Sequence, residues 1–272
     1  MLNKLKDKVV IITGASSGIG KACAIAFAES GAKVVLSARS IDLITEIEKD
    51  LLSKGLDVTA LKTDVTQEDQ CKQLIDFTIK KYHQIDILIN NAGISMRAMF
   101  KDVELSVLKQ LMDVNYWGTV YCTKFALPYI LNSKGSIVGI TSIAGFHGLP
   151  GRSGYSASKF AMHGFLETLR IEHLKSGLHV LIAAPGFTQS NIRKAALMAD
   201  GKPQGNTPLN ESKLMSAQSV ANSIVKGVLK RKRNIILSFE GKFSVLVQRV
   251  IPKSLDRIFY NYMAREPDSP FK

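Results

Sequence analysis

Apolar residues in this chain fall into short unbroken runs, separated by longer stretches in which apolar positions recur three and four apart. The runs sit at residues 9–13, 33–37, 58–62, 85–90, 137–142, 178–183 and 235–238, and Val9-Val10-Ile11-Ile12 is typical of them. Short β-branched runs alternating with helix-length segments predict βαβ units and so a parallel sheet. Runs without polar alternation predict strands covered by helices on both faces. With right-handed crossovers the expected architecture is α/β, a doubly wound, Rossmann-like sheet of seven parallel strands.

Two stretches break the rhythm. Residues 187–215 are polar and rich in glycine and proline, as in Asp200-Gly201-Lys202-Pro203. A long segment without strand character predicts a substrate lid. The second stretch is a basic, amphipathic extension at 241–272, the C-terminal helical extension of the expected fold. Its core, FSVLVQRVIPKSLDRIFYNYM at 243–263, is densely apolar, with Arg249, Lys253, Arg257 and Arg265 set within or just beyond it. Pro252 should divide a helix here into two pieces. Three readings are open: packing on the parent sheet or a partner subunit, closure over an apolar pocket, or docking on an anionic membrane surface.

Composition narrows the class. With 46% hydrophobic and 22% charged residues the chain is neither disordered nor low in complexity. No apolar run reaches the roughly 18 residues of a membrane span. The start, Met-Leu-Asn-Lys-Leu-Lys-Asp-Lys, has no apolar core and no cleavage site of a secretory signal. Cys23, Cys71 and Cys122 form no metal or redox pair spacing. These features point to a reduced, cytoplasmic setting. The net charge of +13 is uneven, since residues 226–272 hold 11 Lys/Arg against 4 Asp/Glu. A solvated face or an acidic membrane surface accounts for it. No readout module supports a nucleic-acid partner.

The first run ends in Thr13-Gly14-Ala15-Ser16-Ser17-Gly18-Ile19-Gly20 and leads directly into a helical pattern. Gly14 permits a tight turn, Gly18 clears the approach of a pyrophosphate, and Gly20 lets helix and strand pack closely. The helix N-terminus offers free N–H groups to phosphate. The setting predicts a dinucleotide site. An acidic residue ending the second strand would select NAD(H). The sequence there is Leu36-Ser37-Ala38-Arg39-Ser40, without a carboxylate. Arg39 suits a 2′-phosphate, so NADP(H) is the preferred cofactor and NAD(H) the alternative.

Tyr155-Ser156-Ala157-Ser158-Lys159 opens another helical pattern. Residues four apart share a helix face, so Tyr155 and Lys159 address the same space. A neighbouring ammonium favours phenolate and equips the phenol for proton exchange. Taken alone the spacing is common, and a plain helix surface explains it as well.

The glycine turn, Asn90-Asn91-Ala92-Gly93, Ser142 and the Tyr155/Lys159 pair occur in one order. Together they resemble the short-chain dehydrogenase/reductase family in its single-domain branch, over about residues 6–240. The resemblance implies an enzyme that uses NAD(H) or NADP(H) to interconvert alcohols and carbonyls. It assigns the general acid/base to Tyr155, ribose binding and tuning of the phenol to Lys159, and a hold on the substrate oxygen to Ser142. Asn115 matches the asparagine that positions a water beside the lysine. Asp64 and Val65 match the adenine pair, and Asn91, Ala92 and Gly93 the adenosine-ribose segment. Pro185 and Gly186 match the turn before the nicotinamide. Thr188 and Ser190 occupy positions that contact the carboxamide, although Phe187 departs from the usual aliphatic residue. Ser17 stands where many NADP-preferring members carry a second basic residue, so the NADP(H) preference rests on Arg39.

On this basis residues 1–240 read as a dinucleotide-binding domain that includes the lid, followed by the extension. The tail is similar to those of members acting on steroids, acyl-dihydroxyacetone phosphate or keto-sphingoid bases, which suggests a hydrophobic ketone. Reduction of a 3-oxoacyl carrier-protein thioester is the alternative, and a non-catalytic NADP-binding scaffold a further one. The resemblance implies a homodimer or homotetramer, and the tail allows peripheral membrane association. His147 is a candidate for the cleft wall. Met96, Met99 and Phe100 offer either an apolar wall or core packing.

Overall fold

The structure, a computed structural model, describes residues 4–207, 214–265 and 269, without the side chains of Phe239, Glu240 and Arg249. Residues 208–213 of the expected lid, and residues 266–268 and 270–272 of the extension, lie outside the described residues. Seven strands form one parallel sheet: β1 (Val9–Thr13), β2 (Lys33–Ala38), β3 (Val58–Lys62), β4 (Ile87–Asn90), β5 (Ser136–Ile140), β6 (His179–Ala184) and β7 (Asn234–Ile236). Their order is β3-β2-β1-β4-β5-β6-β7.

Alternate side chains of each strand feed two apolar layers. Val10 and Ile12 point to the layer shared with α1 (Gly18–Glu29) and α2 (Ile41–Ser53), while Ile11 points to the layer shared with α3 (Glu68–Tyr82). This two-sided burial explains why the strands read as continuous apolar runs. The second layer also receives α5 (Gly118–Asn132) and α6 (Ser153–Glu172), and the first receives α7 (Ala217–Leu229). Between α4 (Leu105–Leu111) and α5, residues Met112–Trp117 wind as a π-helical turn.

Strand order reverses between β1 and β4, which opens a crevice at their carboxyl ends. The observed strands are shorter there than the apolar runs. Ser142 lies beyond β5 because its hydroxyl accepts from Ala144 N and caps a 3₁₀ turn, Ile143–Gly145. Ser238 lies beyond β7 and caps α8 (Phe239–Val250), accepting from Gly241 N at 2.9 Å. Pro252 divides the extension as expected, and opens α9 (Pro252–Ala264).

The segment expected to be a lid is tied down along its described length. Leu197 N donates to Ser95 O and Leu197 O accepts from Arg97 N, and Met215 accepts from Gln189 N and donates to Phe187 O. Leu197 joins Met96, Ala98, Val107 and Leu111 in a third apolar cluster, on which Tyr155 packs.

Candidate active site

The glycine turn is shaped by the segment after β4. Gly14 and Gly18 adopt φ of +64° and +53°. A Cβ at Gly14 would lie 2.8 Å from Ala92 Cα, and one at Gly20 would lie 2.2 Å from Gly14 O. The Asn91 amide donates to Thr13 O and Gly14 O, and Thr13 Oγ1 accepts from the N–H groups of Asn91 and Ala92. Helix α1 then begins with neither a side-chain cap at Ser17 nor an acidic residue in its first turn. Its leading amides, those of Gly18, Ile19 and Gly20, have no helical partner and remain available to an anion. Ser190 stands across from Gly18, its Cβ 3.1 Å from where a Gly18 side chain would begin.

Tyr155 and Lys159 lie on one face of α6, as their spacing predicts, and Ser142 faces them from the turn after β5. Lys159 Nζ donates to Ile140 O at 3.0 Å and lies 5.8 Å from the Tyr155 ring centre. Asn115 sits in the π-helical turn, fully buried. Its amide is spent inside the protein: Nδ2 donates to Ile94 O and Ser158 Oγ, and Oδ1 accepts from Ile94 N at 2.8 Å. Gly93 packs between these groups. A Cβ there would lie 3.1 Å from Asn115 Oδ1 and 3.5 Å from Lys159 Nζ.

Burial dominates the electrostatics. It weakens the hold of Lys159 on its proton, bringing its pKa down to about 7. Burial also raises the Tyr155 phenol above its ordinary value, against a hydrogen bond from Ser142 and the positive charge of Arg152. Lys159 and Tyr155 thus share the helix face that their spacing predicts, with the ammonium 5.8 Å from the centre of the phenol ring.

A cleft of about 880 Å³ joins these parts. Of the site residues expected from sequence, Ile19, Asn91, Gly93, Ser142, Tyr155, Lys159, Pro185, Gly186, Thr188 and Ser190 line it. Gly14, Ser16, Ser17, Gly18, Gly20 and Ala92 form the turn and its support, and Asn115 lies behind Gly93. Arg39, Asp64 and Val65 lie outside the cleft walls, just past the ends of β2 and β3. Arg39 is exposed there, and the Asp64 carboxylate accepts from the backbone and hydroxyl of Thr66.

The outer half of the cleft is apolar. Leu255, Ile258, Phe259, Tyr262 and Met263 of α9 roof it, and Phe187 stacks on Tyr262. His147 lines a neighbouring groove instead, stacked on Phe259 with Nε2 3.9 Å from Asp256 Oδ1. Met96 is core, Phe100 is exposed, and neither they nor Met99 reach the cleft. Sequence reasoning passed over Arg152, a buried cleft residue three positions before Tyr155. Its one signal was its place at the position that precedes the helix.

A family model described as short chain dehydrogenase matches residues 8–200. The chain is 32% identical over 274 residues to 11-beta-hydroxysteroid dehydrogenase A of Sesamum indicum, covering 97% of this chain and 78% of that protein. In fold it is similar to a short chain dehydrogenase/reductase from Burkholderia phymatum in complex with NAD, with TM-score 0.83 and 23% identity over 93% of this chain and 96% of that one. It is similar too to an alcohol dehydrogenase from the archaeon Thermococcus sibiricus complexed with 5-hydroxy-NADP, with TM-score 0.74 and 24% identity over 85% and 95%. The glycine turn, the parallel sheet and the extent of these matches lead to one assignment: the chain belongs to the short-chain dehydrogenase/reductase family of oxidoreductases.

Proposed function

We propose that this protein is an NADP(H)-dependent oxidoreductase that interconverts a hydrophobic, steroid-like ketone and its secondary alcohol. The observation that carries this reading is the cleft itself. Ser142, Tyr155 and Lys159 meet at its inner end, and α9 roofs its outer end with apolar side chains. The Sesamum relative's name, a hydroxysteroid dehydrogenase, points to the same substrate class. The two fold neighbours carry NAD and 5-hydroxy-NADP, which supports a nicotinamide cofactor.

The residues present fit such a group. Uncapped amides open α1, and Gly93 leaves room in front of Lys159 Nζ that a side chain would fill. In this reading the turn from Gly14 to Gly20 holds the pyrophosphate, and Arg39 meets a 2′-phosphate. Asp64 and Val65 flank the adenine, Asn91, Ala92 and Gly93 the ribose, and the stretch from Pro185 through Thr188 to Ser190 the carboxamide. The bound cofactor supplies or accepts the hydride.

The chain's own residues then manage the oxygen and its proton. Ser142 and Tyr155 donate hydrogen bonds to the carbonyl oxygen. These bonds strengthen as alkoxide character grows, which favours the transition state over the ground state. Tyr155 transfers its proton to that oxygen. Lys159, whose pKa of about 7 lets it exchange protons near neutrality, replaces it. Asn115 holds Ile94 and Ser158 in place behind Gly93.

The test is a panel of steroid, sphingoid and 3-oxoacyl carbonyl compounds with NADPH and NADH, run on the parent and on Tyr155→Phe. Reduction of the steroid members with NADPH by the parent, and its loss in Tyr155→Phe with cofactor affinity retained, is the expected result. A Tyr155→Phe protein that still reduces them, or a parent selective for 3-oxoacyl thioesters, overturns the reading.

One observation favours a membrane surface as a further partner. Leu246 and Val250 share a face of α8 and with Ile251 expose an apolar row, and Lys242, Lys253 and Arg257 lie close to them in the chain and are exposed. A basic amphipathic surface of this kind suits anionic lipid.

A further inference from the structure

His147 meets the roof of the cleft from its outer side, and the loop that carries it is well anchored. The loop begins at Ser142, whose hydroxyl caps the 3₁₀ turn, and His147 N donates to Ile143 O at 3.2 Å. Phe146 sets its ring edge-on to that of His163 on α6, with centres 4.5 Å apart, and Leu149 N donates to Ser156 Oγ of the same helix. The imidazole of His147 is 6% exposed. Its Nδ1 is buried with no hydrogen-bond partner among the described residues, and its Nε2 lies 3.9 Å from Asp256 Oδ1, beyond hydrogen-bond length. A buried polar ring bonded this poorly is costly, and an aliphatic side chain would fill the space without that cost. What the ring does make is a stack. Its plane lies 26° from that of Phe259, with centres 4.7 Å apart.

Phe259 stands between two spaces. On one side it roofs the cleft, and on the other it lines the groove of about 510 Å³ that holds His147. Its place on α9 explains this. Leu255, Ile258, Tyr262 and Met263 recur three and four apart and form the cleft face, while Asp256 and Tyr260 form the neighbouring one. Phe259 lies on the border of the two. What packs on its outer side therefore decides where its inner side stands over the cleft. His147 supplies that packing from a loop tied to Ser142 and to α6, the elements that present the Ser142 and Tyr155 hydroxyls.

We propose that His147 is a positioning residue for substrate selection: its ring, stacked on Phe259, holds α9 at a set distance from Ser142 and Tyr155 and so fits the outer cleft to a large hydrophobic ketone. This rests on the reading of the cleft as a ketone site with α9 as its roof. It separates two duties along one short loop. Ser142 holds the reacting oxygen, and His147, five positions later, holds the wall that the rest of the substrate meets.

Two measurements on the whole chain loaded with NADPH test this. Hydrogen exchange read by mass spectrometry reports on the roof. His147→Ala should speed exchange of the α9 amides and leave those of β1 to β6 as in the parent. Steady-state kinetics report on selection. In His147→Ala the KM for the steroid ketone that the parent reduces best should rise about threefold or more, while its kcat and the KM for cyclohexanone, a ketone too small to span the cleft, stay in place. His147→Phe, which keeps a stacking ring and discards the imidazole nitrogens, should return both readouts to parent values. A purely structural role would speed exchange throughout the sheet and leave the ratio of the two KM values unmoved. Unchanged α9 exchange or an unchanged KM ratio in folded His147→Ala overturns the proposal, and so does a His147→Phe protein that behaves like His147→Ala. If His147→Ala does not fold, His147→Leu, which fills the space without a flat ring, carries the same comparison. The two readings fail separately. A parent that reduces no ketone of the panel defeats the proposed function and this proposal with it. An active parent whose His147 variants match it defeats only the role of His147.

Discussion

Lys159 is almost fully buried, and its pKa near 7 stands well below the ordinary 10.5. Between those values the unfolded chain binds a proton that the folded chain does not, so stability rises with pH across that window. Below about pH 7 both states are protonated and the folded state bears the full cost of the buried charge, at roughly 1.4 kcal/mol per tenfold loss of proton affinity. Lys159→Met should therefore be more stable than the parent by several kcal/mol at pH 6, with the gap closing toward pH 10.5. Urea denaturation over a pH series measures this, and a gap independent of pH would contradict it. At Gly20 the constraint is steric, because a Cβ would meet backbone atoms of Gly14 that cannot move aside. Gly20→Ala should cost about 1–3 kcal/mol and weaken cofactor binding about tenfold or more, read by thermal denaturation and by cofactor titration. Tyr155, Lys159 and the glycines were legible in the sequence because helical spacing and turn chemistry are local. Arg152 was not, because a charged residue in a loop reads as surface until the fold brings Ser95 and Met96 to it.

At the scale of elements, the strands were legible because burial on both faces writes itself as unbroken apolar runs. Their ends were not, because capping by Ser142 and Ser238 stops β5 and β7 before the apolar pattern does. The π-helical turn at Met112–Trp117 left no mark either, since one widened turn barely disturbs a helical pattern. The tie between Leu197 and residues 95–97 depends on pairing at a distance of a hundred positions, which periodicity cannot report. Pro252 was legible from its missing N–H, and the two helices it separates differ in exposure. Leu255 and Met263 are buried in the roof, whereas Leu246 and Val250 are 62% and 69% exposed. Leu255→Ser should raise the KM for hydrophobic ketones severalfold and leave the binding of anionic liposomes unchanged. Leu246→Glu with Val250→Glu should do the reverse. Steady-state kinetics and liposome sedimentation separate the two, and identical effects from both variants would show that the extension has a single role.

For the whole molecule, the reversal of strand order between β1 and β4 brings the glycine turn, the β4 loop and the turn after β5 to one edge of the sheet. The candidate site thereby lies at the carboxyl ends of the strands. Trp117, Phe160, Ile171 and Leu174 are exposed on α5 and α6 or beside them, a surface available to the homo-oligomer that the resemblance implies. Among the described residues no helix is long and apolar enough to cross a membrane. Cys23, Cys71 and Cys122 are all buried, and burial pushes the Cys23 thiol up to about 12. Maleimide should therefore leave the folded parent unlabelled over an hour at pH 7 and modify three thiols once urea is added, as mass spectrometry would show. Against so quiet a background, a single cysteine introduced on the outer side of α9, as in Tyr260→Cys, would carry a fluorophore or spin label alone. Any movement of the roof during turnover can then be followed in real time.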